Sequence, residues 1–221
     1  MHIVALLPMK GHSERVPNKN LKSFNGKPLY HAIVKTLQNC SSIKNVIINT
    51  DSELIAKDAK KAFGDFIIIH ERTSDICGDF VSMNEIINYD IEKNGGEHFL
   101  QTHSTNPVLK SSTLQGAIDM YFDELPNIDS IFSVTKWQTR LYWQDGAAVN
   151  HNPAELLRTQ DLPPVFEENS NFYIFSKTSF LQSGKKRIGL KPKMFEVSKI
   201  EAVDIDNPED FIIAEQLYTL K

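Results

Sequence analysis

Cysteine is nearly absent from this 221-residue chain: Cys40 and Cys77 are the only two, far apart and in no metal-ligand spacing. Neither a disulfide framework nor a zinc site is suggested, and a reduced, cytoplasmic compartment is the expectation. No apolar run approaches the ~20 residues of a membrane helix. The apolar start from Met1 to Pro8 is too short for a secretory core, and Lys10 stands where a cleavage site should be. A basic excess is also missing. The 24 Lys plus Arg against 28 Asp plus Glu leave a net charge of −4, which argues against an electrostatic nucleic-acid binder. Glycine is sparse where a phosphate loop would need it. Only Gly11 precedes Gly26, so neither the Walker pattern nor G-x-G-x-x-G is present. Internal repeats and low-complexity segments are absent.

What remains is ordinary globular composition, 41% hydrophobic and 24% charged, enough for a real core. Ile3 to Leu7 is a continuous apolar run, the mark of a strand buried on both faces in a parallel sheet. Pro28 suits the first position of a helix whose Leu29, Ile33 and Leu37 share a face. Asn45 to Thr50 reads as a strand. Asp51 or Ser52 then caps a helix to about Ala62, with Leu54, Ile55, Ala59 and Phe63 as its apolar face. Phe66 to Ile69, His98 to Thr102 and Ser130 to Val134 read as further strands. Between them fall one helix capped by Ser82 and carrying Ile86, Ile87 and Ile91, and another opened by Ser111 or Ser112 and carrying Leu114, Ile118 and Tyr121. This alternation predicts an α/β fold, a mostly parallel sheet between two helical layers. From about 136 to 195 the rhythm changes, and an inserted arm is expected there within a single domain spanning 1–221, despite a strand-like Asn171 to Phe175. A last strand, Ala202 to Ile205, precedes a helix capped by Asn207, with Pro208 at its first position and Phe211, Ile212, Ala214, Leu217 and Leu220 on its apolar face.

The loop from Met9 to Lys27 packs Lys10, Arg15, Lys19, Lys22 and Lys27 against one acid, Glu14: five cations less one acid, a local +4 inside a chain of −4. It follows the first strand, at the carboxyl edge where open α/β sheets bind ligands, and a nucleoside triphosphate is the natural guest. At the other end, alternation along a strand puts Asp204 and Asp206 on one face, a geometry that can hold Mg²⁺. The plainer reading of Asp206 and Asp210 is that they favour a helix N-terminus.

Lys10-Gly11-His12-Ser13-Glu14-Arg15-Val16-Pro17-Asn18-Lys19-Asn20, followed by Asn25-Gly26-Lys27-Pro28-Leu29, resembles the signature loop of the acylneuraminate (CMP-sialic acid) cytidylyltransferases. Lys10 stands where that family places a triphosphate-binding arginine, and it keeps the charge without the bidentate fork. The resemblance continues through Asn49-Thr50-Asp51-Ser52, where a capping role is expected for Asp51. It runs on through Glu71-Arg72-Thr73-Ser74-Asp75, Gly78-Asp79-Phe80-Val81-Ser82, and Leu100 to Pro107 with Gln101. Leu157-Arg158-Thr159-Gln160-Asp161-Leu162-Pro163 and Glu168-Asn169-Ser170-Asn171 are similar to two later elements, and Asp204-Ile205-Asp206 matches the family's metal motif.

The resemblance implies a nucleotide-diphospho-sugar transferase-like fold with a dimerisation arm. It implies transfer of CMP from CTP to the anomeric hydroxyl of an acidic 2-keto sugar, a nonulosonic acid of the sialic, legionaminic or pseudaminic type. Lys10, Arg15 and Lys19 would neutralise the triphosphate, with Gly11, Ser13, Asn20, Arg72 and Ser82 around the nucleotide. Gln101, Arg158 and Asn169 would orient the sugar, and Asp204 and Asp206 would hold Mg²⁺. Glu167 replaces an arginine expected to meet the sugar's carboxylate. Trp137, Arg140, Tyr142 and Trp143 suit either a sugar site or an interface, with core or dimer packing the expectation, and the arm implies a homodimer with composite sites. The rival readings are a metal-dependent glycosyltransferase, whose Asp-x-Asp normally falls mid-chain, and a non-catalytic nucleotide-binding relative.

Overall fold

A computed structural model describes residues 2–78 and 80–220. Among the described residues seven strands form one sheet in the order β5-β4-β1-β6-β8-β7-β9. They are β1 (Ile3–Pro8), β4 (Ile43–Thr50), β5 (Ile67–Glu71), β6 (His98–Thr102), β7 (Ser130–Trp137), β8 (Val165–Ser176) and β9 (Pro192–Glu196). Two short strands, β2 (Ser23–Phe24) and β3 (Lys27–Pro28), pair separately in the first loop. β8 runs antiparallel to both its neighbours, and the other pairings in the large sheet are parallel. The helices are α1 (Tyr30–Gln38), α2 (Glu53–Phe63), α3 (Met83–Lys93), α4 (Ser111–Glu124), α5 (Lys177–Gln182) and α6 (Pro208–Thr219).

β1 is buried along its whole length, and its alternating side chains divide the core. Ile3, Ala5 and Leu7 pack with Ile33 and Leu37 of α1, Ile55 of α2 and Leu114 and Ile118 of α4. Val4 and Leu6 face the opposite layer, with Ile87 and Ile91 of α3 and Phe180 of α5. The predicted three-layer α/β arrangement is therefore realised around a central apolar strand. A third, smaller cluster joins Val16, Phe24 and Leu29 to Ile205, Phe211 and Ala214. It clamps the N-terminal loop onto the segment before α6.

Several local expectations are corrected. Ala202 to Ile205 forms no strand and lies in turn and coil, because its backbone is tied individually to loops: Ile205 N–H donates to Thr105 O at 3.0 Å and Ala202 N–H to Ser198 O at 2.9 Å. Of the stretch 136–195, β8, α5 and β9 are regular and β8 and β9 belong to the main sheet, so the irregular parts are the connections between β7 and β8 and between α5 and β9. Pro28 sits in β3, two residues before α1 begins. Leu54 of α2 and Ile212 and Leu220 at α6 are exposed, leaving Ile55, Ala59, Phe211 and Ala214 as the buried contacts. No described helix is long and apolar enough to cross a membrane.

Candidate active site

The N-terminal loop and the segment before α6 meet at the carboxyl edge of β1. Lys19 Nζ donates to Ile205 O at 2.6 Å, and Arg15 Nη2 contacts Asp206 Oδ1 at 2.7 Å. These contacts span 186 and 191 residues of sequence. Pro8, Lys10, Ser13, Arg15, Lys19, Asn20, His103 and Thr105 are among the residues lining the adjoining cleft, of about 290 Å³. The cationic loop and the acidic pair that the sequence separates thus share one site.

The loop is held from several sides. Gly11 N–H donates to Asp51 Oδ1 at 2.6 Å, so Asp51 anchors the loop, and Ser52 is the residue that caps α2. This corrects the capping role expected of Asp51. Gly11 also suits the close approach, since a Cβ there would lie 2.9 Å from Ser52 Cβ. Asn20 is buried; its amide donates to Lys10 O at 2.9 Å, and its Oδ1 accepts from Ser104 Oγ at 2.6 Å. These bonds make Asn20 a brace between the loops after β1 and β6.

Burial shifts charged groups of both signs at this site. Loss of solvent lowers the Lys19 amine below its ordinary range, with the Asp204 and Asp206 charges opposing that shift. Loss of solvent around its carboxyl raises Asp204 above the usual carboxylate range; Asp206 adds to this, while a Thr105 hydrogen bond and Lys19 oppose it. The Arg15–Asp206 pair is exposed, with side chains 61% and 47% accessible. Such pairs contribute about 0–1 kcal/mol, so Arg15 can leave Asp206 for a phosphate at little cost. Asp204 and Asp206 suit a hard divalent cation, because Mg²⁺ takes one or two carboxylates and completes its shell with phosphate oxygens and water. Among the described residues no group of three or more His, Cys, Asp or Glu gathers to close such a site.

Next to the cleft lies a second polar cluster. Gln101 is buried at the end of β6; its Oε1 accepts from Arg187 Nη1 at 2.7 Å and its Nε2 stands 3.2 Å from His103 Nε2. An amide nitrogen only donates, so that His103 nitrogen is the acceptor and the ring is neutral. Burial agrees, pushing His103 down to about 4, with the Arg187 and Lys19 charges adding to it. The Arg187 guanidinium stacks 4.0 Å from the Tyr173 ring centroid, and the Tyr173 hydroxyl donates to Glu168. Sequence reasoning missed Arg187, which sits in an unremarkable basic stretch between α5 and β9.

Other expected site residues are occupied elsewhere. Arg72 donates to Asn49 Oδ1 at 2.8 Å and lines a separate depression with Asp51 and Ser52. Asn49 is in turn fixed by the fully buried Asp90, through a 2.8 Å bond. Ser82 caps α3 and borders a depression of about 630 Å³ with Tyr89, Lys185 and Lys186; its motif partner Asp79 lies outside the described residues. Arg158 forms an exposed pair with Asp161 at 2.6 Å, and Asn169 donates to Thr135 Oγ1 at 2.9 Å. Neither lines the cleft. Glu167 accepts from Trp137 Nε1 at 2.7 Å, while Tyr142 and Trp143 are exposed, not in the core.

The family model described as Cytidylyltransferase matches residues 4–221. N-acylneuraminate cytidylyltransferase A of Danio rerio is 29% identical over 224 residues, covering 97% of this chain and 50% of that protein. The CMP-N,N'-diacetyllegionaminic acid synthase of Legionella pneumophila is 25% identical over 234 residues, covering 100% of this chain and 97% of that one. The chain thus spans about half the length of the fish protein and nearly all of the bacterial one. Among solved structures, a CMP:2-keto-3-deoxy-manno-octonic acid synthetase complexed with CTP superposes with a TM-score of 0.73 at 13% identity, covering 100% of this chain and 99% of that one. That likeness bears on the fold.

Proposed function

The chain belongs to the cytidylyltransferase family, and from that premise we propose that it transfers CMP from CTP to the anomeric hydroxyl of an acidic 2-keto sugar, releasing pyrophosphate. The observation that carries this reading is the convergence of Arg15 and Lys19 with Ile205 and Asp206 beside the cleft. Phosphoryl transfer depends on positioning and charge neutralisation more than on covalent catalysis. Lys10, Arg15 and Lys19 supply cationic donors for the triphosphate, and Gly11 and Ser13 keep the loop backbone close to it. Asp204 and Asp206 would hold Mg²⁺, which when bound neutralises phosphate charge and favours the ionised acceptor hydroxyl. The neutral His103 borders the cleft on the acceptor side, and the buried Gln101 amide stands behind it. Asn20 and Asp51 act through bonds that hold the loop backbone in place, and Asn49 orients Arg72 beside it.

The relatives' names support a nonulosonic or related acid as acceptor; the setting that belongs to this proposal is cell-surface polysaccharide biosynthesis by a cytoplasmic enzyme. The exposed Tyr142, Trp143, Leu156 and Leu157 between β7 and β8 support a homodimer. The reading is tested by pyrophosphate release from CTP, ATP, GTP and UTP with N-acetylneuraminic, N,N'-diacetyllegionaminic, pseudaminic and 2-keto-3-deoxy-manno-octonic acids. CTP-selective release with at least one acid is expected. Tight CTP binding without release for any acceptor would favour a non-catalytic nucleotide binder.

A further inference from the structure

We propose that Arg187 binds the carboxylate of the acceptor sugar acid through guanidinium N–H groups that its hydrogen bond to Gln101 leaves for a ligand. The proposal rests on the cytidylyltransferase reading above. A guanidinium carries five N–H donors in a fixed fork. Here one of them reaches Gln101 Oε1 at 2.7 Å, and the flat face is covered by the Tyr173 ring at 4.0 Å. Among the described residues no carboxylate lies within ion-pair distance of it, in contrast to Arg15 with Asp206 and Arg158 with Asp161. The nearby acid, Glu168, is engaged by the Tyr173 hydroxyl.

Arg187 is half-buried, and loss of solvent works against its charge, with Tyr173 and Glu168 opposing. A half-buried guanidinium fixed in orientation yet lacking a carboxylate is a prepared receptor for one, because two parallel N–H···O bonds match a carboxylate's two oxygens. Its location agrees. Gln101 connects Arg187 to His103, and His103 lines the cleft together with Lys10, Arg15 and Lys19. An acid held on Arg187 would therefore stand next to the proposed triphosphate site. β8 offers Glu167 and Glu168 on its own part, so the cation for the acid comes from the α5–β9 connection.

The test uses the full-length protein, R187Q and R187K, with CTP and the four acids named above, each paired with its carboxamide. With an acid that the unaltered chain accepts, R187Q should raise the acceptor KM about 10- to 100-fold, the range of a charge-assisted hydrogen bond. Its CTP KM should stay within about twofold. R187K should recover part of the loss, because an ammonium keeps the charge without the fork. The carboxamide, a poor acceptor for the unaltered chain, should lose nothing further in R187Q. An unchanged acceptor KM, or equal losses on acid and carboxamide, overturns the assignment and leaves the cytidylyltransferase reading standing. Failure of the unaltered chain on every acid overturns both. Thermal unfolding reports folding, and if R187Q does not fold, the acid-to-carboxamide ratio of R187K decides.

Discussion

At the scale of single residues, Lys19 and Asp206 give the most direct checks. Lys19→Ala removes the charge nearest the Asp204–Asp206 segment and should lower kcat/KM for CTP by about 10- to 100-fold, a charge-assisted hydrogen bond's contribution, in steady-state kinetics. Asp206→Ala should abolish Mg²⁺-dependent turnover while the melting temperature holds, since the Arg15–Asp206 pair is exposed and contributes about 0–1 kcal/mol. An unfolded variant with unchanged activity per folded molecule would instead make Asp206 a helix-start residue. His103 yields a pH prediction. Burial lowers it from 6.5 to about 4, so between those values the unfolded chain binds the proton that the folded chain refuses. Stability should therefore rise with pH through that window and level off above it. Urea unfolding at pH 5 and pH 7 should show a smaller difference in His103→Gln than in the unaltered chain. Lysines and aspartates of this site were legible because charge clusters are visible in sequence. Arg187 was not, because its meaning comes from Tyr173 and Gln101, which only the fold brings to it.

At the scale of elements, the loop after β1 depends on its anchorage to the β4–α2 turn. Gly11→Ala puts a Cβ 2.9 Å from Ser52 Cβ, against a side chain that caps α2. The loop must shift off the Asp51 carboxylate, so calorimetry should show weaker CTP binding by about tenfold, comparable to one lost hydrogen bond, with the fold intact. Loss of stability with unchanged CTP affinity would place the strain in α2 alone. Apart from the short β2–β3 pair in the first loop, the order of strands and helices through β7 was readable because each buried strand is an apolar run and each helix carries a periodic face. Three features were not. The segment 202–205 has strand-like residues but finds hydrogen-bond partners in Thr105 and Ser198 and no strand beside it. β8 inserts antiparallel between β6 and β7, a choice made by tertiary pairing that local pattern does not encode. Asp51 and Ser52 are both good caps, and the hydroxyl takes the helix while the carboxylate takes the loop.

At the scale of the whole molecule, net charge was too coarse a measure of the ligand. The −4 average conceals a cationic loop and an acidic pair that the apolar cluster around Val16, Phe24, Ile205 and Phe211 brings together. A comparable question remains for the β7–β8 connection, where Leu156 is 93% exposed, with Trp143 at 64% and Tyr142 at 54%. Several large apolar side chains on one connection are a poor surface for water and a good one for a second copy. If the connection closes a homodimer, sedimentation velocity should give twice the chain mass of 25.1 kDa. Leu156→Asp should return the single-chain mass, because burying an unpaired carboxylate in an apolar contact is costly. CTP binding should survive in that variant, since the cleft is built from one chain's β1 and β6 loops and the segment before α6. Acceptor turnover should fall with it if the partner completes the sugar side. A single-chain mass for the unaltered protein would refute the dimer and leave these residues to meet the sugar from the same chain.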